Sequence, residues 1–190
     1  SRDQSIPHGL TQAPDFSIIK NMDGAGNWTV FHRSVTTTNQ KVFYLNTTGA
    51  VADYSNGSYT WWHQLPGASL FYIGDLSTAI NNGTNDMISY HWHDVPGLQK
   101  FGSYIANDNA DGPFIELGFR PAIIWLKPST RTGNWTVIDV KRDTFNVTTK
   151  RLSLNLVTNE TDQTGTTIDI LSNGFKCRTD SGDVNNSTNT

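Results

Sequence analysis

The chain has 190 residues, a formal charge of −3, 16% charged residues and one cysteine. That charge, with no basic cluster, gives no purchase for nucleic-acid or membrane-surface binding by counterion release. The longest apolar stretch, Ala122–Leu126, is far too short to cross a bilayer, and a lone cysteine excludes an internal disulfide.

Taken in chain order, period-two alternation and short apolar runs predict strands separated by turns. Five residues, GNWTV, occupy Gly26–Val30 and recur at Gly133–Val137. Sliding the chain on itself by 107 positions also matches Pro14 with Pro121 and Lys20 with Lys127, seven identities in the nineteen positions from Pro14 to His32. At an offset of 109, Lys41, Leu45 and Asn46 meet Lys150, Leu154 and Asn155; at 104, Phe71 and Asn81-Asn82 meet Phe175 and Asn185-Asn186. Small shifts between ordered blocks are what loop insertions leave in a duplicated domain.

Within the first copy, KVFYL (Lys41–Leu45) and LFYI (Leu70–Ile73) read as strands buried on both faces. Between them lie the Asn56-Gly57 turn and the segment YTWWHQLPG, where Tyr59, Trp61 and Trp62 form an aromatic cluster. Asn82-Gly83 marks another turn before MISYHWHD (Met87–Asp94), where Ile88, Tyr90 and Trp92 share one face and His91 and His93 the other. Val95-Pro96-Gly97 divides the chain into repeats 1–97 and 98–190, with so short a linker that stacked units are expected.

In the second copy, Gly112-Pro113 is a turn before FIELGF, and AIIWL (Ala122–Leu126) reads as buried on both faces. RLSLNL (Arg151–Leu156) aligns three leucines on one face, and Asn173-Gly174 gives a hairpin between IDIL and FKCR, with Cys177 a core thiol. No stretch of ten residues holds a helical stripe. The expected fold is therefore all-β: two tandem antiparallel β-sandwiches of jelly-roll or lectin type. The run MISYHWHD has no equivalent after Asn185-Asn186, and FIELGF has none before the first repeat, so the chain reads as truncated at its ends.

Candidate chemistry is sparse. His91 and His93 have a spacing that presents two imidazoles to one ion, but no third ligand is placed, and two surface histidines are expected instead of a metal centre. Glu116 and Glu160, the two glutamates, lack an acidic neighbour two residues away, and Asp180 and Asp183 lie in a polar turn, which argues against a glycosidase pair. Without a nucleophile elbow or a phosphate loop, neither an enzyme nor a cofactor is expected. Tyr59, Trp61 and Trp62 offer a sugar-stacking loop, against the alternative that they plug the sandwich. Nine Asn-x-Ser/Thr sequons, at Asn27, Asn46, Asn56, Asn82, Asn134, Asn146, Asn159, Asn185 and Asn186, are read as turn chemistry in preference to glycan acceptors.

Linked motifs carry a family resemblance. IPHGLTQAPDFSIIKN, FGSYIANDNADGPFIELGF, GFRPAIIWLK, STRTGNWTV, RDTFN and IDILSNGFKCR resemble, in order, a repeat of bacteriophage virion proteins, marine phages in particular. The resemblance implies β-sandwich modules of tail fibres, spikes or capsid-associated proteins, localised in the virion and without catalysis. It also implies other virion proteins as partners, a homo-oligomer with a trimer favoured, and a host surface glycan or receptor. It carries over no defined functional residues. The competing reading is a carbohydrate-binding module built on Tyr59, Trp61 and Trp62.

Overall fold

The structure, a computed structural model, describes residues 3–38, 40–55, 60–74, 79–81, 83–162, 167–180 and 182–186. It is all-β, with antiparallel pairing throughout and a single four-residue helix among the described residues. The chain forms two compact units, Ser1–Val95 with Lys100–Gly102, and Pro96–Gln99 with Ser103–Thr190. A single cut after Gly97 therefore misses a return of the chain. Phe101 stacks on Phe16 at 5.6 Å with 5° between ring planes, and its N–H donates to the Asp94 carboxylate at 2.7 Å. Lys100 pairs with the same carboxylate.

In unit 1 a five-stranded sheet runs in the order β5 (Ala52–Asp53), β4 (Lys41–Tyr44), β3 (Thr29–His32), β2 (Phe16–Asn21), β7 (Met87–Trp92). A second sheet pairs β1 (Gln4–Pro7) with β6 (Leu70–Ile73). Strand alternation sends Ile19, Phe31 and Val42 inward, where they meet Phe71 and Ile73 of the smaller sheet together with Trp61, Trp62 and Ile80. Phe16, Ile18, Val30 and Phe43 point from the other face of the same sheet and are buried as well.

Unit 2 repeats the plan. One sheet runs β12 (Thr161–Asp162), β11 (Lys150–Ser153), β10 (Thr136–Asp139), β9 (Ile123–Leu126), and the other β13 (Ile168–Leu171), β14 (Gly174–Cys177), β8 (Phe114–Glu116). Between them lie Ile124, Leu126, Ile138, Ile168, Ile170, Phe175, Cys177 and Val184. Burial pushes the Cys177 thiol up to about 11, as suits a core sulfur.

The sequence repeat is a repeat of pairings. Ile18 faces Val30 as Trp125 faces Val137, Val30 faces Phe43 as Val137 faces Leu152, and Phe71 faces Ile6 as Phe175 faces Ile115. Each offset read from the sequence is thus a conserved register. Two elements break the parallel. Among the described residues β7 has no counterpart in unit 2, and β13 has none in unit 1, where Trp61 and Trp62 take its place. The Gly74 N–H donates to the Trp61 carbonyl at 2.9 Å, as the Arg178 N–H does to the Thr167 carbonyl at 2.9 Å.

Several local expectations change. AIIWL is not buried on both faces: among the described residues β9 is the last strand of its sheet, and Ile123 and Trp125 are 56% and 44% exposed. LFYI alternates too, with Phe71 and Ile73 buried and its other two residues half-buried. RLSLNL is strand only to Ser153, and Leu154 and Leu156 are exposed, because the chain turns out of the sheet where Asn155 locks onto the Trp135 N–H. The hairpin turn is Ser172-Asn173, one residue earlier than predicted, since Leu171 pairs with Gly174. Gly174 is required for a different reason: a Cβ there would lie 2.0 Å from the Ile115 carbonyl oxygen of the neighbouring strand. The polar turn of the 180s contains the helix, α1 (Gly182–Asn185).

Candidate functional site

Trp61 and Trp62 follow Thr60 on the segment that enters unit 1's core; Tyr59 lies outside the described residues. Trp61 is 3% exposed, tilted against Tyr54 at 5.5 Å and edge-on to Tyr44 at 5.9 Å. Trp62 is fully buried, edge-to-face with Phe31 and Phe71, and its indole N–H donates to the Lys41 carbonyl at 3.0 Å. Trp61 and Trp62, expected as exposed sugar-stacking faces, are instead core side chains. Neither tryptophan presents a face to a ligand, because both fill the space that β13 fills in unit 2.

His91 is not a surface residue either. β2–β7 pairing places Ser17 beside it on the inner face, and the Ser17 hydroxyl is 2.9 Å from Nδ1. Nε2 is 3.0 Å from the Ser89 hydroxyl, and the ring lies 4.7 Å from Phe71 and 6.0 Å from His8. His93 instead meets the Asp94 carbonyl through Nδ1 at 2.6 Å and Thr11 through Nε2 at 3.4 Å, so the two imidazoles do not converge. Tyr90, expected to pack, is 43% exposed, while Trp92 on the same face packs against Phe16 at 5.7 Å, so the predicted division of the strand's faces holds only in part. Among the described residues no group of three or more His, Cys, Asp or Glu is suited to a metal ion.

Burial first, and the neighbouring His8 second, lower the His91 pKa from 6.5 to about 4. The unfolded chain then binds a proton at this site below pH 6.5 that the folded chain refuses until about pH 4. Stability from His91 is thus full above that window and falls as pH drops through it. His91→Gln should flatten the decline in urea midpoint between pH 6.5 and about 4. An unchanged slope would mean that His91 titrates freely in the fold.

Two of the candidate acids, Glu160 and Asp183, are engaged in ion pairs. Glu160 pairs with Arg142 at 2.8 Å and Lys150 at 3.6 Å. Asp183, far from being a solvated turn acid, has a side chain 12% exposed and lies between Arg131 at 3.8 Å and Arg151 at 3.9 Å. No local pattern marked this trio, because its members come from three separate segments.

GNWTV has a mechanical role in both copies. Asn46 accepts from the Trp28 N–H at 3.0 Å and donates to the Asn27 side chain at 2.9 Å. Asn155 does the same to Trp135 at 2.8 Å and Asn134 at 2.9 Å. The repeated lysine closes the preceding loop: Lys20 donates to the carbonyls of Asn21 and Gly24 at 2.5 and 2.8 Å, Lys127 to those of Pro128 and Gly133 at 3.2 and 3.1 Å. Burial lowers the Lys127 pKa to about 8.

Unit 1 also has a depression of ≈ 220 Å³, floored by Ile6, Ile73 and Ile80 and rimmed by Gln4, Asn81 and Asp86. Its volume falls below the usual range for small-molecule sites.

One family model, described as a domain of unknown function, DUF7483, matches residues 1–190. The chain belongs to the DUF7483 family. No curated protein and no solved structure matches it.

The sequons of this DUF7483 chain divide by what their asparagines do. Asn27, Asn46 and Asn134 form the latches just described, and Asn146 bonds the backbone of Ile170 in both directions at 2.9 and 3.0 Å. Asn185 is fully buried. Asn56 and Asn82 lie outside the described residues.

Proposed function

We propose that this DUF7483 chain is a structural segment of a bacteriophage virion appendage, a tail fibre or spike, serving host attachment or particle assembly without catalysis. The observation that supports this reading is the repetition of one sandwich with the same strand registers and the same Asn–Trp and lysine locks in both copies. Polar residues spent on internal locks suit a rigid spacer, and a rigid spacer suits a part that bears load in an appendage. Its partners in this reading are other virion proteins and further copies of itself, in a trimer. Trp61 and Trp62 take no part in recognition. Mass spectrometry of purified particles from the virus encoding the chain should find peptides of both units, and gold-labelled antibody should decorate an appendage. Peptides confined to the infected-cell lysate and missing from particles would overturn the reading.

A further inference from the structure

The two units can be compared at three positions of their shared plan. In unit 1 these are Gly24, Val42 and Ala79, with Val42 in the core and Ala79 packed against it. The offsets of 107, 109 and 104 put Arg131, Arg151 and Asp183 at the same positions in unit 2. Leu126 and Ile138 follow Ile19 and Phe31 into the core, whereas Arg151 follows Val42, so an arginine holds an inward strand position. The side chains of Arg151 and Asp183 are each 12% exposed and that of Arg131 20%. The locking lysine, Lys20 or Lys127, is common to both units, so that lock does not require the charged trio.

An uncharged solution to the same packing problem therefore exists within the chain. Replacing buried ion pairs by apolar side chains is commonly neutral or stabilising, which leaves stability a poor reason for the trio. Its internal pairing is also loose. Arg131 Nη2 lies 3.8 Å from Asp183 Oδ1 and Arg151 Nη1 lies 3.9 Å from Oδ2, both beyond hydrogen-bond reach. Arg131 donates through Nη1 and Nη2 to the carbonyls of Thr132 and Gly182, but its Nε–H is buried without a partner among the described residues. Lys127 shares the same field: burial lowers its pKa most, Asp183 raises it and Arg131 lowers it further. Three cations facing one carboxylate leave positive charge in excess in a sheltered place. We infer that Arg131 and Arg151, backed by the charge of Lys127, form a binding site for a tetrahedral oxyanion, a phosphate or sulfate group. Each planar guanidinium donates to two oxygens of such a group, a closer match than its contact with Asp183. Asp183 turns one oxygen toward each arginine and so spaces the two forks. Thr130 and Thr132, both exposed, flank Arg131 with hydroxyls. The inference uses residues of unit 2 alone and stands independently of the virion reading.

The test titrates the intact 190-residue chain with sodium phosphate at constant ionic strength, with sodium chloride as control, read by two-dimensional NMR. Saturable shift changes are expected at residues 129–133 and at Arg151. The Lys127 pKa should move up from about 8, because a bound anion favours the charged amine. Arg131→Ala should weaken binding at least ~10-fold, the loss of one charge-assisted hydrogen bond. A triple variant, Arg131→Gly with Arg151→Val and Asp183→Ala, gives unit 2 the residues of unit 1; it should stay folded and lose phosphate binding. If the triple variant fails to fold, Arg131→Ala decides alone, since residue 131 is a loop position with glycine at its counterpart. Methyl phosphate bound as tightly as the free ion would assign the site to a phosphate or sulfate group on a larger molecule. Weaker binding of the ester would assign it to the free ion. Shifts that never saturate, shifts that chloride reproduces, or undiminished phosphate binding by Arg131→Ala would overturn the site.

Discussion

Trp62→Ala is expected to destabilise unit 1 by ~3–5 kcal/mol, the cost of truncating a large core aromatic. The ring is fully buried, with Phe31 at 5.6 Å and Phe71 at 5.4 Å meeting it edge-to-face from the two sheets. Its indole N–H also satisfies the Lys41 carbonyl at 3.0 Å. In unit 2 that position of the layer is held by β13, a regular strand with Ile168 and Ile170 in the core. Unit 1 has no such strand among the described residues, so truncating Trp62 removes the substitute with nothing behind it. Hydrogen exchange read by mass spectrometry separates the units: peptides from β3, β4 and β6 should lose protection while those from β10 and β14 keep it. Trp62→Phe should recover most of the loss, leaving about 1 kcal/mol for the missing hydrogen bond. A cost below about 1 kcal/mol for Trp62→Ala would reopen the aromatic segment as a binding surface.

In unit 2 the corresponding weak point is polar. Asn185 is fully buried at the end of α1 and ties three segments together. It accepts from the Asn107 N–H at 2.9 Å, and the two hydrogens of its amide nitrogen are shared among the Asn107 side-chain oxygen at 2.9 Å, the Asn109 carbonyl at 2.8 Å and the Thr179 carbonyl at 2.8 Å. Asn185→Ala leaves several of these groups without a partner and should cost ~2–4 kcal/mol, given ~1–3 kcal/mol for each unsatisfied buried group. The loss should be read as a lower urea midpoint for the unit 2 transition. Asn185→Asp keeps the acceptor but not the donors and should fall nearly as far. A fall of less than 0.5 kcal/mol, the range of ordinary surface changes, would place Asn185 in solvent. The same burial makes Asn185 a sequon that carries no glycan once the chain has folded.

The repeat explains why so much of the frame was legible. Identities at offsets of 107, 109 and 104 record registers, and a register is specified wherever one face of a strand is buried, because a one-residue slip reverses every side chain. Turn residues and alternation placed most strands for the same reason. GNWTV was legible as a repeated handover from turn to strand, although its partners, Asn46 and Asn155, had to be found in space.

Pattern alone could not decide which face meets a core. MISYHWHD shows why. Its apolar residues suggested that Tyr90 and Trp92 pack and that His91 faces water, yet pairing with β2 turned His91 toward Phe71 and left Tyr90 exposed. The Trp61-Trp62 pair is the same lesson at larger scale, since an aromatic cluster reads alike on a loop and in a core. AIIWL repeats it, since continuous hydrophobicity implied burial on both faces, yet its strand residues alternate between exposed and buried.

Local chemistry by itself determined the all-β class, the duplication and most strand positions, because alternation and turn propensity act over a few residues. The tertiary structure decided which side chains reach solvent and which asparagines act as locks. Those properties depend on neighbours brought together from segments distant in the chain, and no window of sequence contains them.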